Sequence, residues 1–343
     1  MRKRSIAVAG TMLIDRIREI GSLPARSELA RILRVFDSAG GCVPNTGIDL
    51  RRLDPGLEVE ALGVVGADAD GEAILSALAK EGLRVDRVVR RGQTAFTDVF
   101  AEREHDCRTF FSYAGSCDSL DVDDIPVDAL QCDLFHIGYL LLLGTLDAPD
   151  AEYGTRMARL LASVKARGIP TSIDLVSENS DRCRQVVLPA LPWVDYLTVN
   201  ELEAGAVTGI PLRDGEGNLL PERIPRVLEA LFALGVRRQA ILHAPEGAWG
   251  RRADGTVAAE ASNRLPPGFI KGTTGAGDAF CAGVLWATLQ GKSLPETLIC
   301  GNAAAQLSLT SDTPCGAMLP MQAAVERYGE TLGRCPKPRL NLS

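Results

Sequence analysis

The spacing of apolar residues predicts buried strands that alternate with helices along most of the chain. Short, continuous apolar runs are typical of strands that are covered on both faces. They occur at residues 6–10, 59–65, 133–138, 169–175, 196–199 and 239–243. Helical spacing follows several of them, for example at about 151–167 and 224–234. Strands alternating with helices predict an α/β fold with a mostly parallel sheet.

Two segments interrupt this alternation. Residues 94–101 and 108–113 are rich in Thr, Phe, Val and Tyr and are joined by a polar turn, which is typical of a β-hairpin. With the β-prone segments before residue 38, the hairpin can form a small sheet that acts as a lid. We therefore expect one α/β domain over residues 1–335, a lid formed by about 16–38 and 93–114, and a tail at 336–343.

The strongest chemical signal is a short motif before an uncharged helix. Residues 279–291 contain no charged side chain, which indicates a buried helix. Gly275-Ala276-Gly277 would expose backbone N–H groups at its positive N-terminal end, where anions bind. Asp278 would repel a phosphate bound there, so it is better explained as a base that deprotonates an attacking hydroxyl. The alternative is that Asp278 caps the helix.

Other polar residues follow predicted strands or precede helices, and each allows a simpler interpretation. Asp15 follows the first strand, where α/β proteins bind ligands, or it is an ordinary turn residue. Gly40-Gly41 allows close approach of a ligand to the backbone, or forms a plain turn. Asn200 and Glu203 form a capping-box pattern, and the same pair could orient a hydrated Mg²⁺.

Composition excludes several classes of partner. The 343-residue chain has a net charge of −7, which argues against nucleic-acid binding. Its longest apolar run, at 139–143, is too short to cross a bilayer, and we expect no membrane partner. The nine cysteines are dispersed and accompany only His105, His136 and His243, which is neither a zinc nor a disulfide framework. Such a set suits a reducing cytosol, so we expect a cytoplasmic protein.

Taken in order along the chain, these motifs resemble those of ribokinase-like (PfkB) carbohydrate kinases. The matching residues are Asp15, Gly40-Gly41, Asn45, Asn200-x-x-Glu203 and Thr274-Gly275-Ala276-Gly277-Asp278, and the likeness extends from about residue 6 to 320. The resemblance implies a three-layer sandwich with helices on both faces of the sheet and a small β lid. It also implies transfer of the γ-phosphoryl group of ATP to a hydroxyl of a small sugar, with Mg²⁺.

The resemblance further implies a role for each matching residue. Asp278 would be the general base, and the backbone N–H groups of Gly275, Ala276 and Gly277 would stabilise charge on the transferred group. The acceptor hydroxyls would be bound by Asp15, Gly40, Gly41 and Asn45. The nucleotide would be bound by Asn200, Glu203, Gly247, Thr274 and Asn302, with Glu203 holding Mg²⁺ through water. Asn302 is equally well explained as a polar helix residue.

Three departures from the family pattern limit these expectations. Gly272 replaces an Asp that helps to shape a monovalent-cation site, which argues against K⁺ activation. The nucleotide loop Thr-x-Gly-x-x-Gly is here Leu242-His243-Ala244-Pro245-Glu246-Gly247. Asp174-Leu175-Val176-Ser177 stands where sugar kinases often have Asp-Pro-Asn-x-Arg, so no particular sugar is assigned.

Two other functions remain open on sequence grounds. A nucleoside kinase of the same fold would prefer a more aromatic acceptor pocket, and the 5% aromatic content favours a sugar. A non-catalytic sugar or nucleotide sensor would account for the altered nucleotide loop, but the intact Asp278 motif argues against it. A dinucleotide-dependent oxidoreductase is disfavoured, because no Gly-x-Gly-x-x-Gly motif follows the first predicted strand. Family members often dimerise through the lid, so a homodimer is expected.

Overall fold

The computed structural model describes residues 3–105, 107–177 and 182–330. Its strands, in chain order, are β1 (Ser5–Gly10), β2 (Leu13–Ile20), β3 (Ile32–Gly40), β4 (Glu58–Leu62), β5 (Val64–Val65), β6 (Val89–Arg90), β7 (Ala95–Glu102), β8 (Cys107–Tyr113), β9 (Leu134–Leu140), β10 (Pro149–Asp150), β11 (Gly154–Thr155), β12 (Thr171–Leu175), β13 (Tyr196–Asn200), β14 (Gln239–Ala244), β15 (Gly247–Arg252) and β16 (Val257–Ala261). The helices are α1 (Cys42–Leu53), α2 (Ala69–Lys80), α3 (Gly144–Asp147), α4 (Arg156–Ala166), α5 (Cys183–Val187), α6 (Glu201–Thr208), α7 (Ile224–Ala233), α8 (Ala276–Leu289), α9 (Leu294–Ser308) and α10 (Met321–Glu330).

Eight strands form the central sheet, in the order β16-β15-β14-β13-β12-β9-β1-β4. The strands from β4 to β14 are parallel, and β15 and β16 add an antiparallel edge. Side chains of β1 alternate between two cores, with Ile6 and Val8 in one and Ala7 and Ala9 in the other. Helices therefore cover both faces, and the predicted α/β sandwich is confirmed.

Helix α8 is buried as its uncharged sequence predicts, and small residues let α9 approach it closely. A Cβ atom on Gly283 of α8 would lie 2.4 Å from the carbonyl oxygen of Cys300 in α9. The two helices are thus packed backbone against backbone.

A second sheet of four strands, in the order β3-β2-β7-β8, lies beside the main body, and we call it the lid sheet. Strands β2 and β7 run parallel, while the two outer pairs are antiparallel hairpins. One face, the inner face, carries Asp15, Phe36, Val99 and Arg108, which line a cavity against the main body. The opposite, outer face carries the exposed side chains of Leu33, Val35, Phe111 and Tyr113.

The structure differs from the sequence pattern in its local boundaries. The helix expected from 151 starts at Arg156, because Asp150 accepts backbone hydrogen bonds that form a turn and Thr155 caps the helix through Ala158 N. The strand expected over 59–65 is interrupted at Gly63.

The predicted tail at 336–343 lies outside the described residues. None of the helices within the described ranges is both long enough and apolar enough to cross a membrane.

Candidate active site

Asp278 lies in the first turn of α8 and is 7% exposed. Its Oδ2 accepts a hydrogen bond of 2.9 Å from Asn45 Nδ2 in α1, and its Oδ1 accepts one of 2.5 Å from the Tyr139 hydroxyl in β9. The N-cap position of α8 is occupied by Gly275. The carboxylate is therefore held by side chains from two other elements, which favours a chemical role over helix capping.

The surroundings of Asp278 set its pKa close to neutrality. Burial raises the pKa to about 6, the hydrogen bonds from Tyr139 and Asn45 act against this, and the charge of Glu203 adds to it. Burial and the nearby Asp278 charge raise the pKa of Tyr139 well above its usual value, so its hydroxyl stays protonated and donates. A carboxylate with a pKa near the working pH suits general-base catalysis.

The backbone before α8 provides the amides that the motif predicts. Gly275 has a left-handed conformation, and Ala276 N donates to the carbonyl oxygen of Thr273 at 3.3 Å. Within the described ranges, the N–H groups of Gly275 and Gly277 donate to no protein acceptor. Two of the three predicted amides are therefore available for an anion, beside the carboxylate of Asp278.

The predicted acceptor-binding residues lie together around the end of β3 and the start of α1. Asp15 lies within β2, opposite Ser38 of β3, and not just past the end of β1 as the sequence pattern suggested. A Cβ on Gly40 would lie 2.1 Å from Asp15 Oδ2, so glycine is what allows the carboxylate to sit over the backbone. Gly41 begins α1, one turn before Asn45.

Asn45 links the residues predicted to bind the acceptor to Asp278. Its Nδ2 is used by Asp278, while its buried Oδ1 has no partner among the described residues. A buried polar atom without a partner costs free energy unless water or a ligand satisfies it. Asn45 Oδ1 is therefore suited to accept a hydrogen bond from a bound hydroxyl.

Arg108 is a site residue that the sequence analysis did not find. It lies on the inner face of β8, and its guanidinium donates to Thr274 Oγ1, directly before the amides of α8. A Cβ on Gly272 would lie 2.8 Å from the Ser311 carbonyl oxygen and 3.3 Å from Arg108 Nη2. The glycine that departs from the family pattern thus leaves room for this guanidinium.

A cavity of about 790 Å³ separates the inner face of the lid sheet from the segment before α8. Its polar lining includes Asp15, Arg108, Lys271 and Thr274, and its apolar lining includes Ile17, Phe36, Val99, Phe110 and Ile270. The cavity therefore combines charged groups at its inner end with apolar and aromatic walls, as ligand sites commonly do.

Asp15 is the carboxylate that faces this cavity. Burial raises its pKa to about 7, the nearby Asp278 charge adds to this, and Arg108 acts against it. The lid sheet therefore brings one carboxylate and one guanidinium to the place where Asp278 and the free amides lie.

Asn200 and Glu203 form the predicted capping box at the start of α6. Asn200 Oδ1 accepts from Glu203 N, and Glu203 Oε2 accepts from Asn200 N. Glu203 Oε1 accepts from Ser177 Oγ at 2.9 Å and from Asn200 Nδ2 at 2.8 Å. Because both carboxylate oxygens already accept hydrogen bonds, a cation would reach Glu203 most easily through water. Oxygen donors of this kind fit Mg²⁺.

The remaining residues predicted to bind the nucleotide make contacts inside the protein. A Cβ on Gly247 would lie 2.6 Å from the carbonyl oxygen of Glu260, so β16 requires a small residue there. Asn302 is buried and donates to the Tyr328 hydroxyl at 3.2 Å. The structure does not bring either residue next to Asp278, whereas Thr274 lies directly before the free amides.

Replacing Asp15 by Asn should make the stability of the protein less dependent on pH. The pKa of Asp15 is raised from 3.8 to about 7 on folding, so the folded state holds more protons in this window and wild-type stability falls as pH rises through it. We expect Asp15→Asn to unfold at a higher urea concentration than wild type at about pH 8, with the difference shrinking towards about pH 5. Exposed Asp86→Asn serves as the control, and an equal shift at both pH values would contradict the assignment.

Comparison with known proteins is consistent with this geometry. The family model described as pfkB family carbohydrate kinase matches residues 3–320. An uncharacterized sugar kinase of Archaeoglobus fulgidus is 25% identical over 251 residues, which cover 72% of this chain and 89% of the relative. The 2-dehydro-3-deoxygluconokinase of Bacillus subtilis is 28% identical over 287 residues, covering 78% and 80%. The solved structure of Arabidopsis thaliana ribokinase complexed with ribose and ATP aligns with a TM-score of 0.74 at 21% identity, covering 95% and 98% of the two chains. The chain therefore belongs to the pfkB family of carbohydrate kinases.

Proposed function

We propose that this protein is an ATP-dependent kinase that transfers the γ-phosphoryl group to a hydroxyl of a small sugar or sugar derivative. The observation that carries the proposal is the pairing of a buried carboxylate of pKa about 6, Asp278, with the free N–H groups of Gly275 and Gly277. A base beside an anion site is the arrangement that hydroxyl-to-phosphorus transfer needs.

Asp278 acts on the acceptor hydroxyl. Tyr139 and Asn45 donate to its two oxygens and hold the carboxylate in one orientation. As the hydroxyl oxygen attacks the γ-phosphorus, its proton passes to an oxygen of Asp278, and the bond from the γ-phosphorus to the β–γ bridging oxygen breaks to release ADP. Asp15 and the unpartnered Asn45 Oδ1 accept hydrogen bonds from other hydroxyls of the acceptor and position it for this attack.

The transferred group carries negative charge that the protein must stabilise. Backbone N–H groups of the Gly275-Ala276-Gly277 segment point from the positive end of α8, and Arg108 reaches Thr274 beside them from the lid sheet. Lys271 lines the same cavity. We propose that the lid sheet closes over the bound acceptor, and that its Arg108 supplies positive charge to the transferred phosphoryl group.

The residues predicted to bind the nucleotide match the family pattern less well than those around Asp278 do. Asn200 and Glu203 would hold Mg²⁺ through its waters, and the ion would supply positive charge that stabilises the phosphates. Thr274 would lie next to the phosphates, and Gly247 and Asn302 would contribute through the shape of the pocket wall. We expect no requirement for K⁺, because Gly272 replaces the Asp of the family motif and Arg108 lies against it.

The outer face of the lid sheet supports a homodimer. Leu33 and Val35 on β3 and Phe111 and Tyr113 on β8 are exposed along the two edges of this face, where a second copy could contact them. A cytoplasmic location, with no membrane or nucleic-acid partner, remains part of the proposal on the basis of the composition and the acidic charge.

A nucleoside is the second candidate acceptor, because one observation favours it. Phe36 and Phe110 line the cavity on the inner face of the lid sheet, where a base could stack. The sugar is preferred because Asp15 and Asn45 Oδ1 offer hydrogen-bond acceptors for several hydroxyls. A non-catalytic sensor would not need the Tyr139 and Asn45 hydrogen bonds that hold Asp278.

Replacing the base should abolish most of the activity. We expect Asp278→Asn to lower turnover by about 10²–10⁴-fold, the usual contribution of a positioned base. Nucleotide affinity, measured by calorimetry, should change little because the amides remain. Asp86→Asn, on the exposed surface, is the matched control for the change from carboxylate to amide. Undiminished phosphorylation in Asp278→Asn would rule out the proposed role.

Removing the lid guanidinium should slow the chemical step. We expect Arg108→Gln to reduce kcat by about 10²–10³-fold, as loss of one preorganised charge-stabilising donor does. The change should appear in single-turnover measurements at saturating ATP. Arg90→Gln, which removes an exposed arginine paired with Glu72, is the control. If kcat for Arg108→Gln equals that of the control, Arg108 has no part in the transfer.

Acceptor identity can be settled by a panel of sugars, sugar acids and nucleosides. We expect ADP release with at least one sugar or sugar acid, since Asp15 and Asn45 offer acceptors for several hydroxyls. ADP release with nucleosides alone would establish the second candidate. Saturable binding of a sugar without ADP release from any compound would establish the sensor.

A further inference from the structure

Four side chains of the kinds that bind transition metals meet in the core close to Asp278. His136 comes from β9, Asp174 from β12, Cys42 from the first turn of α1, and Cys281 from α8, one turn after Asp278. All four are buried. They lie far apart in the sequence, which is why the dispersed cysteines and histidines gave no metal-binding spacing.

Three of these four groups lie close together, and the fourth, Cys42, lies beside His136. His136 Nε2 lies 3.6 Å from Cys42 Sγ and 3.9 Å from Cys281 Sγ. Ligand atoms of His136, Asp174 and Cys281 all lie within 4.8 Å of one another. Zinc bonds of about 2.0–2.3 Å in a tetrahedron place neighbouring ligand atoms about 3.3–3.8 Å apart. Small side-chain movements would bring His136, Asp174 and Cys281 to these distances. Cys42 Sγ lies outside this group of three and would have to move towards it to become the fourth ligand.

The surrounding residues orient the ligands and leave room between them. His136 Nδ1 lies 3.1 Å from Ser172 Oγ, so with Nδ1–H donating to Ser172 the lone pair of Nε2 faces the two thiols. A Cβ on Gly138 would lie 3.0 Å from both Cys42 Sγ and Asp174 Cβ. Glycine at this position keeps the space between these two donors open.

We propose that Cys42, His136, Asp174 and Cys281 form a tetrahedral site for Zn²⁺. Two thiolates, an imidazole and a carboxylate are the donors that this borderline-soft ion prefers, and they do not suit Mg²⁺. The site is thus distinct from the proposed magnesium position at Glu203. Metal binding would displace the two thiol protons and any proton on Asp174.

A metal ion at this site would stabilise the arrangement of the elements around Asp278. The four ligands tie together α1, β9, β12 and α8, and three of these elements also carry Asn45, Tyr139 and Asp278. A metal here would hold the elements that position the base, without contacting the substrate. The ligands are positioning residues in this sense.

Metal analysis of the intact protein provides the test. We expect protein produced in zinc-supplemented medium and dialysed against chelator to retain stoichiometric zinc by mass spectrometry. Protein produced with Co²⁺ should show thiolate-to-cobalt charge-transfer absorption and the intense visible bands of tetrahedral Co²⁺. Both measurements use the unsubstituted chain, so a folding defect cannot affect them.

Variants then identify the ligands. Cys281→Ala and His136→Gln should lose the bound zinc, while Cys300→Ala, at another buried cysteine in the neighbouring helix α9, should retain it. Absence of zinc and of the cobalt bands in the intact protein would overturn the proposal, and the contact would then be a thiol hydrogen bond from Cys42 to His136. Full zinc retention in both ligand variants would overturn it as well.

Discussion

The site depends on keeping one ionisable carboxylate, Asp278, inside the protein. Burial of a charge is costly, and here the positive end of α8 and two donated hydrogen bonds offset the cost in part. The donors come from α1 and β9, which are adjacent because β9 pairs with β1 in the central sheet. Strand order and helix packing therefore set the pKa of Asp278, and a pKa of about 6 leaves this carboxylate mostly ionised at neutral pH.

The ionisable groups around Asp278 are mostly acidic, and Arg108 is the positive group that faces them. Asp15, Asp174 and Glu203 are buried carboxyl groups whose raised pKa values reflect burial and mutual repulsion. The guanidinium of Arg108 comes from the lid sheet, and so the positive charge arrives on a separate structural element. In this structure the guanidinium already lies at the acidic site, where it donates to Thr274 Oγ1 and faces Asp15. The alternation of the lid strands serves both faces, because it directs Asp15 and Arg108 inward and Val35 and Phe111 outward.

The sequence predicted those features whose residues are neighbours along the chain. The uncharged run after Asp278 predicted the buried helix α8, and Asn200 with Glu203 predicted a capping box that the structure contains. It could not find Tyr139 or Arg108, because their partners lie 139 and 166 residues away. For the same reason, spacing rules for metal ligands did not detect His136 and Cys281, which approach each other only after the sheet and α8 have packed.

The two ends of the proposed site match the family pattern to different extents. At one end, the Asp278 carboxylate, its two donors and the free amides form one connected arrangement. At the nucleotide end, Pro245 and Glu246 occupy the turn where the family has a glycine loop, and Arg213 binds both Glu246 and Glu201 at 2.7–3.1 Å. This ion-paired cluster joins the β14–β15 turn to the start of α6, next to Glu203. A side-chain bridge therefore holds this turn where the family pattern has bare glycine backbone.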